Sequence, residues 1–139
     1  MLNDRSMKNL SGVHPDMVAV VLKASEGGIP FIVTEGLRTL ERQEMLVAAG
    51  KSRTLNSRHI HGLAVDLAVS LPDGGVSWKR DDYKILAMQV KAASVELGIP
   101  IVWGGEWVSF WDGCHWELDR RYFPDGVVNL QPEGKVTTT

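Results

Sequence analysis

An α+β fold is predicted, as one small domain over residues 1–130, with a short, mainly antiparallel sheet and helices packed against it. Three observations carry this. Helical and strand-like segments interleave, but the strand-like runs are short and turn-linked, unlike the long strands of a doubly wound sheet. The helix beginning near Asp81 repeats apolar residues at spacings of three and four (Tyr83, Leu86, Val90, Ala93, Leu97), which draws one apolar stripe that needs a partner surface. The chain has 139 residues, a length that suits one compact core.

The elements follow in order. Residues 1–13 read as a polar lead-in. Pro15 at a first helical position, then Val18, Val21 and Leu22, predict a helix over 15–26 that stops at Gly27-Gly28. Ile29 to Val33 is a β-rich run broken by Gly36. Thr39 is the expected N-cap of a second helix through Ala49, with Gly50 as its stop. Lys51 to His61 is polar and loop-like; Leu63 to Val69 is a buried strand; Pro72-Asp73-Gly74-Gly75 is the turn after it. Gly98 ends the long helix, and Ile99 to Trp103 repeats the earlier Ile-Pro-strand pattern. Cys114 to Leu118 is the last strand candidate, and residues 131–139 form a polar tail expected to be loose.

Composition excludes several classes. At 44% apolar and 23% charged the chain has the make-up of a globular protein rather than a disordered or fibrous one. A net charge of -2 provides no electrostatic footprint for nucleic acid or for an anionic membrane surface, so neither is expected as a partner. The one cysteine cannot make an internal disulfide. No apolar run approaches the ~20 residues that span a bilayer, and the first residues lack the apolar core of a secretory signal. A monomer made in the cytoplasm is the expectation.

Two polar clusters stand out: Ser57-Arg58-His59-Ile60-His61-Gly62-Leu63-Ala64-Val65-Asp66 and Asp112-Gly113-Cys114-His115-Trp116-Glu117. A catalytic zinc takes three ligands from His and Asp/Glu and keeps one position open. His59, Asp66 and His115 could supply them. His59 and Asp66 are seven residues apart, which on a straight strand would set them on opposite faces, so a turn is needed between them and Gly62 supplies it. Asp66 lies among Leu63, Val65 and Leu67, where an unpaired carboxylate would be costly. A hydrogen-bonded His–Asp pair without metal answers the same pattern, and the helix-borne H-E-x-x-H signature is absent.

Ser57-x-His59-x-x-Gly62-x-Ala64-x-Asp66, followed by Asp112-x-x-His115, resembles the zinc signature of the D-alanyl-D-alanine carboxypeptidase and L-alanyl-D-glutamate endopeptidase family, which includes phage endolysins. Gly36-x-Arg38-Thr39, Gln43, His14-Pro15 and Trp103-Gly104-Gly105-Glu106-Trp107 extend the likeness over roughly residues 9–118. The resemblance implies Zn2+ on His59, Asp66 and His115, with Asp112 as the catalytic carboxylate and Arg38 facing the substrate carbonyl. For Arg38 a surface salt bridge with Glu35 or Glu41 is the competing reading. Ser57, Gln43 and Trp107 are candidate substrate contacts, His61 a residue of the rim, and His14 structural. Cys114 should face away from the metal that His115 binds, and Glu117 should share the His115 face and orient its ring. Of Trp103, Trp107, Trp111 and Trp116, most are expected to pack in core and loops.

The implied activity is hydrolysis of the L-alanyl-D-glutamate bond of peptidoglycan stem peptides by a phage-type lytic enzyme. Such an enzyme would reach a periplasmic wall after the membrane is permeabilised. The alternatives are a D-Ala-D-Ala carboxypeptidase or dipeptidase and, from another class, a zinc-containing binding module without turnover.

Overall fold

The computed structural model describes residues 2–52 and 54–125, together with the backbone of two short strands at 128–130 and 136–138. Helix α1 (Asp4–Asn9) is capped by Asn3, whose Oδ1 accepts from Ser6 N at 2.8 Å. It falls inside the expected lead-in, being too short for periodicity to reveal. It is held by tertiary bonds: Ser6 Oγ accepts from Val33 N at 2.9 Å, and Asn9 Nδ2 donates to Val33 O at 2.8 Å. These satisfy the open edge of the first strand, which would otherwise invite another chain.

Helix α2 (Pro15–Ala24) starts as expected, with His14 Nδ1 accepting from Asp16 N. Strand β1 (Phe31–Glu35) begins two residues later than the apolar run. The reason is Gln89, whose amide accepts from Ile29 N and donates to Ala24 O and Ile29 O, keeping residues 27–30 in a turn. Helix α3 (Leu40–Ala48) is capped by Thr39. A 3-10 turn at Arg58–His61 leads into strand β2 (Ala64–Val69), and the turn at Asp73-Gly74 follows. Helix α4 (Arg80–Leu97) buries Tyr83, Leu86, Val90 and Ala93. Leu97 leaves the predicted stripe and is exposed, because the last turn is closed by Ser94 bonding the Ile99 carbonyl before Gly98 turns the chain. Strands β3 (Ile101–Trp103) and β4 (His115–Leu118) complete a four-stranded antiparallel sheet in the order β1-β2-β4-β3.

Strand alternation divides this sheet into two chemical faces. Val65, Leu67, Trp116 and Leu118 point to the side covered by α2 and α4, where Met17, Val20, Val21, Leu86 and Val90 complete the core. Trp103 and Trp116 stack there with ring centroids 5.8 Å apart, as core tryptophans should. The other face carries Asp66, His115 and Glu117. Two further strands, β5 (Val128–Leu130) and β6 (Val136–Thr138), pair with each other. Of the tail expected to be loose, residues 131–135 and 139 lie outside the described residues.

Gly62 makes the change of direction between His59 and Asp66. It sits at φ +70°, and a Cβ there would stand 2.8 Å from the Gly12 carbonyl oxygen. Gly62→Ala is therefore expected to destabilise by about 2 kcal/mol, since the left-handed backbone alone costs roughly 1–2 kcal/mol for an L-residue. Thermal melting should show a Tm lowered by roughly 6–8 °C; an unchanged Tm would mean the turn can relax.

Candidate metal centre and cleft

The register assembles the site. Asp66 on β2 pairs directly with His115 on β4, and Glu35, just past a bulge in β1, pairs with Asp66 on its other side. Three polar residues thus form one row across the non-core face. His59 reaches the same row from the 3-10 turn: its Nε2 is 3.2 Å from Asp66 Oδ1, and His115 Nδ1 is 3.4 Å from that oxygen. The three candidate ligand atoms all lie within 4.8 Å of one another.

Outer partners decide what these atoms present. His59 Nδ1 lies 3.0 Å from the Gly36 carbonyl, which can only accept, so Nδ1 carries the proton and Nε2 offers a lone pair. His115 Nε2 lies 3.0 Å from Glu117 Oε1 and donates to that carboxylate, which leaves a lone pair on Nδ1. Two imidazole nitrogens and a carboxylate oxygen therefore converge on one point, an arrangement that calls for positive charge among them, either a proton on a ring or a cation between them. Ligands about 2.0–2.1 Å from a tetrahedral ion lie about 3.3 Å apart, close to the two spacings observed. The residues present fit a metal.

Without an ion, a proton supplies that charge. Burial works against the Asp66 charge, but His59 and His115 outweigh it and hold the carboxyl far below the usual carboxylate range. Burial likewise disfavours a charged His115, yet Asp66 and Glu117 draw a proton to it and raise it to about 9. Asp112 moves the other way: burial, then the Asp66 charge, push its carboxyl up. It is half-buried in the turn before β4, where its carbonyl accepts from His115 N and its N–H donates to Gly104 O. Gly104 is a close approach, since a Cβ there would meet Asp112 O at 2.4 Å.

A cleft of about 600 Å³ opens over this row, lined by Arg38, Ser57, His59, Asp66, Asp112 and His115 among others. Trp107 also lines it, its ring tilted over His115 at a centroid distance of 5.0 Å. Ser57 stands at the rim, its Oγ accepting from His59 N and so capping the 3-10 turn. Arg38 is buried. Its Nε and Nη2 fork onto Glu35 at 2.8 and 2.7 Å, Nη1 donates to Gln43 Oε1 at 2.7 Å, and Nη2 lies 3.9 Å from Asp66 Oδ2. The Glu35 pairing is thus real but interior, and the guanidinium still edges the candidate ligand cluster. Gln43 is fully buried behind Arg38, with its amide donating to Ser52 Oγ and the Thr54 carbonyl, and does not line the cleft.

The sequence model of the phage L-alanyl-D-glutamate peptidase family matches residues 1–130. The chain belongs to that family. It is 46% identical to the Serratia marcescens L-Ala D-Glu endopeptidase ChiX, whose crystal structure superposes with a TM-score of 0.82 over 89% of this chain and 94% of that one. It is 29% identical to the Bacillus subtilis (strain 168) peptidoglycan L-alanyl-D-glutamate endopeptidase CwlK over 126 residues, 78% of this chain and 74% of CwlK. It is 28% identical to the L-alanyl-D-glutamate peptidase of Listeria phage A118 over 124 residues, 84% of this chain but 42% of that protein.

Within this family framework the other marked residues fall into place. His61, read from sequence as a residue of the rim, is instead buried with Nε2 bonded to Asn56 Oδ1, and is absent from the candidate ligand cluster. Cys114 packs toward the core beside Tyr83, away from the ligands. His14 caps its helix and meets Phe123 edge-on. Sequence reasoning passed over Arg58 and Asp125. Arg58 is 3% exposed, and its Nε bonds Glu117 Oε2 at 3.1 Å, its Nη2 the Leu118 carbonyl at 2.6 Å and its Nη1 Asp125 Oδ1 at 2.7 Å. An arginine adjoining a ligand histidine was the available signal; its partners, about 60 residues away, were not in view.

Proposed function

We propose that the chain is a zinc peptidase that hydrolyses the L-alanyl-D-glutamate bond of peptidoglycan stem peptides, with the ion on His59, Asp66 and His115. The observation that carries this reading is the convergence of three lone pairs beside Asp112 in one cleft, in a chain of a family described by that bond. Zinc suits the donor set of two imidazoles, one carboxylate and an open fourth position; bound there it polarises a carbonyl and lowers the pKa of water to about 7.

The chain's own residues do the rest. Burial and the Asp66 charge raise the Asp112 carboxyl, the direction that favours a general base, and it can take a proton from the attacking water and return it to the leaving amine. Arg38 holds a fixed positive charge beside Asp66, where it can stabilise an oxyanion. Trp107 walls the cleft over His115. We extend the proposal to host lysis, with the enzyme acting as a monomer on the periplasmic wall once the inner membrane is opened.

Incubation with defined muropeptides and zinc, followed by mass spectrometry, tests this. Release of peptides beginning with D-glutamate is expected, and chelation should abolish it. Loss of a single terminal alanine would instead identify a D-Ala-D-Ala carboxypeptidase. Cells producing the protein should lyse on membrane permeabilisation and not before.

A further inference from the structure

We infer that Arg58 is a positioning residue for the metal centre, acting through Glu117 on the His115 ring. This rests on the reading of His59, Asp66 and His115 as metal ligands. Glu117 is buried, and its two oxygens have different tasks: Oε1 accepts from His115 Nε2 at 3.0 Å, and Oε2 accepts from Arg58 Nε at 3.1 Å. A carboxylate gripped at both oxygens cannot rotate, so the guanidinium aims the oxygen that selects the His115 tautomer. Arg58 is itself immobile, since Nη2 donates to the Leu118 carbonyl and Nη1 to Asp125. It has no freedom to serve Glu117 in any other way.

The placement in the chain adds a second effect. Arg58 immediately precedes His59 on the 3-10 turn, while its guanidinium bonds the strand that carries His115. One residue therefore ties the two histidine-bearing elements to each other and sets the spacing of the ring nitrogens. Without it, the cation left near Glu117 is Arg120, 3.5 Å from Oε2 on a side chain 64% exposed. A carboxylate drawn toward that mobile partner would release His115 Nε2, and the ring could then place its proton on Nδ1, the atom that faces Asp66. A protonated Nδ1 cannot ligate.

The alternative is that Arg58 is only a staple between the turn and β4. Metal affinity separates the two. Zinc binding to the purified full chain, measured by competition with a chromophoric chelator, should weaken by about 10–100-fold in Arg58→Gln, the range for loss of an outer partner of a ligand histidine. Co2+ substituted for zinc should show an altered visible absorption spectrum. Glu117→Gln should weaken zinc binding to a similar degree, and the double variant should be little worse than either, because both act along one path. Arg58→Lys, which keeps the charge but loses the fork, should recover only part of the affinity.

Arg58 variants that melt at lower temperature yet bind zinc with wild-type affinity and an unchanged cobalt spectrum would overturn the inference, as would strictly additive losses. If Arg58→Gln fails to fold, the near-isosteric Glu117→Gln carries the same readout. A wild-type chain that binds neither zinc nor cobalt would sink the metal-site reading and this inference together; a wild type that binds while the variants do not differ sinks this inference alone.

Discussion

Asp112→Asn is expected to lower kcat by roughly 10²–10⁴-fold, the usual contribution of a positioned acid–base group, with bound zinc and KM nearly unchanged. Asp112 is outside the cluster of candidate ligands, so its loss should leave the metal in place. The same change should not harm the fold. Burial and the Asp66 charge raise the Asp112 carboxyl in the folded state, so its contribution to stability is greatest when it is protonated and is lost as pH rises through the raised value. Above that raised value its charge is a cost, and the neutral amide should melt at the same temperature or higher in metal-free protein. Rates from muropeptide cleavage, metal content and melting curves check all three statements. A variant with full activity would remove Asp112 from the mechanism, and an inert wild type with the same zinc content would favour the binding-module alternative.

Arg38→Ala is expected to be the most damaging single change at the cleft, because it acts on stability and chemistry together. It strips the fork from Glu35, leaves the Gln43 carbonyl oxygen without its donor and removes the cation beside Asp66. Breaking a buried ion pair by deleting one partner costs about 3–5 kcal/mol. Here the lower end is expected, since Arg42 Nε also bonds Glu35 Oε1 at 2.8 Å and remains to compensate it. Loss of a preorganised positive group should cost a further 10²–10³-fold in kcat. Arg38→Lys separates the two effects: a lysine keeps a positive charge near Asp66 but cannot fork onto Glu35 and reach Gln43 at once. It should recover most of the stability and little of the rate. Full recovery of the rate would mean that charge alone is needed; no loss in either variant would reduce Arg38 to a spectator.

Much of the fold was legible because its signals are local. The cap at Thr39, the stops at Gly50 and Gly98, and the stripe on α4 as far as Ala93 each reflect preferences of residues within one or two turns, and the structure keeps them. The shifts and omissions have tertiary causes. Residues 27–30 are held as a turn by Gln89, 60 positions downstream of Ile29. Helix α1 owes its place to Ser6 and Asn9 bonding the edge of β1. His61 reads as a residue of the rim because it lies two residues from His59 at a position where the family pattern has no metal ligand, but a 3-10 turn rotates successive side chains by about a third of a turn and sends it inward.

For the site, the sequence by itself determined which donors exist and that a turn must separate His59 from Asp66, since residue chemistry and strand parity are properties of the local chain. It also placed Glu117 on the His115 face, because alternation along a strand is local. Only the tertiary structure decided that Asp66 and His115 are direct cross-strand neighbours, that Gly36 and Glu117 select the tautomers, and that Arg58 grips Glu117. Register and long-range hydrogen bonds depend on the packing of the whole sheet, and a lone pair becomes a ligand only when a partner distant in sequence takes the proton from the other side of the ring.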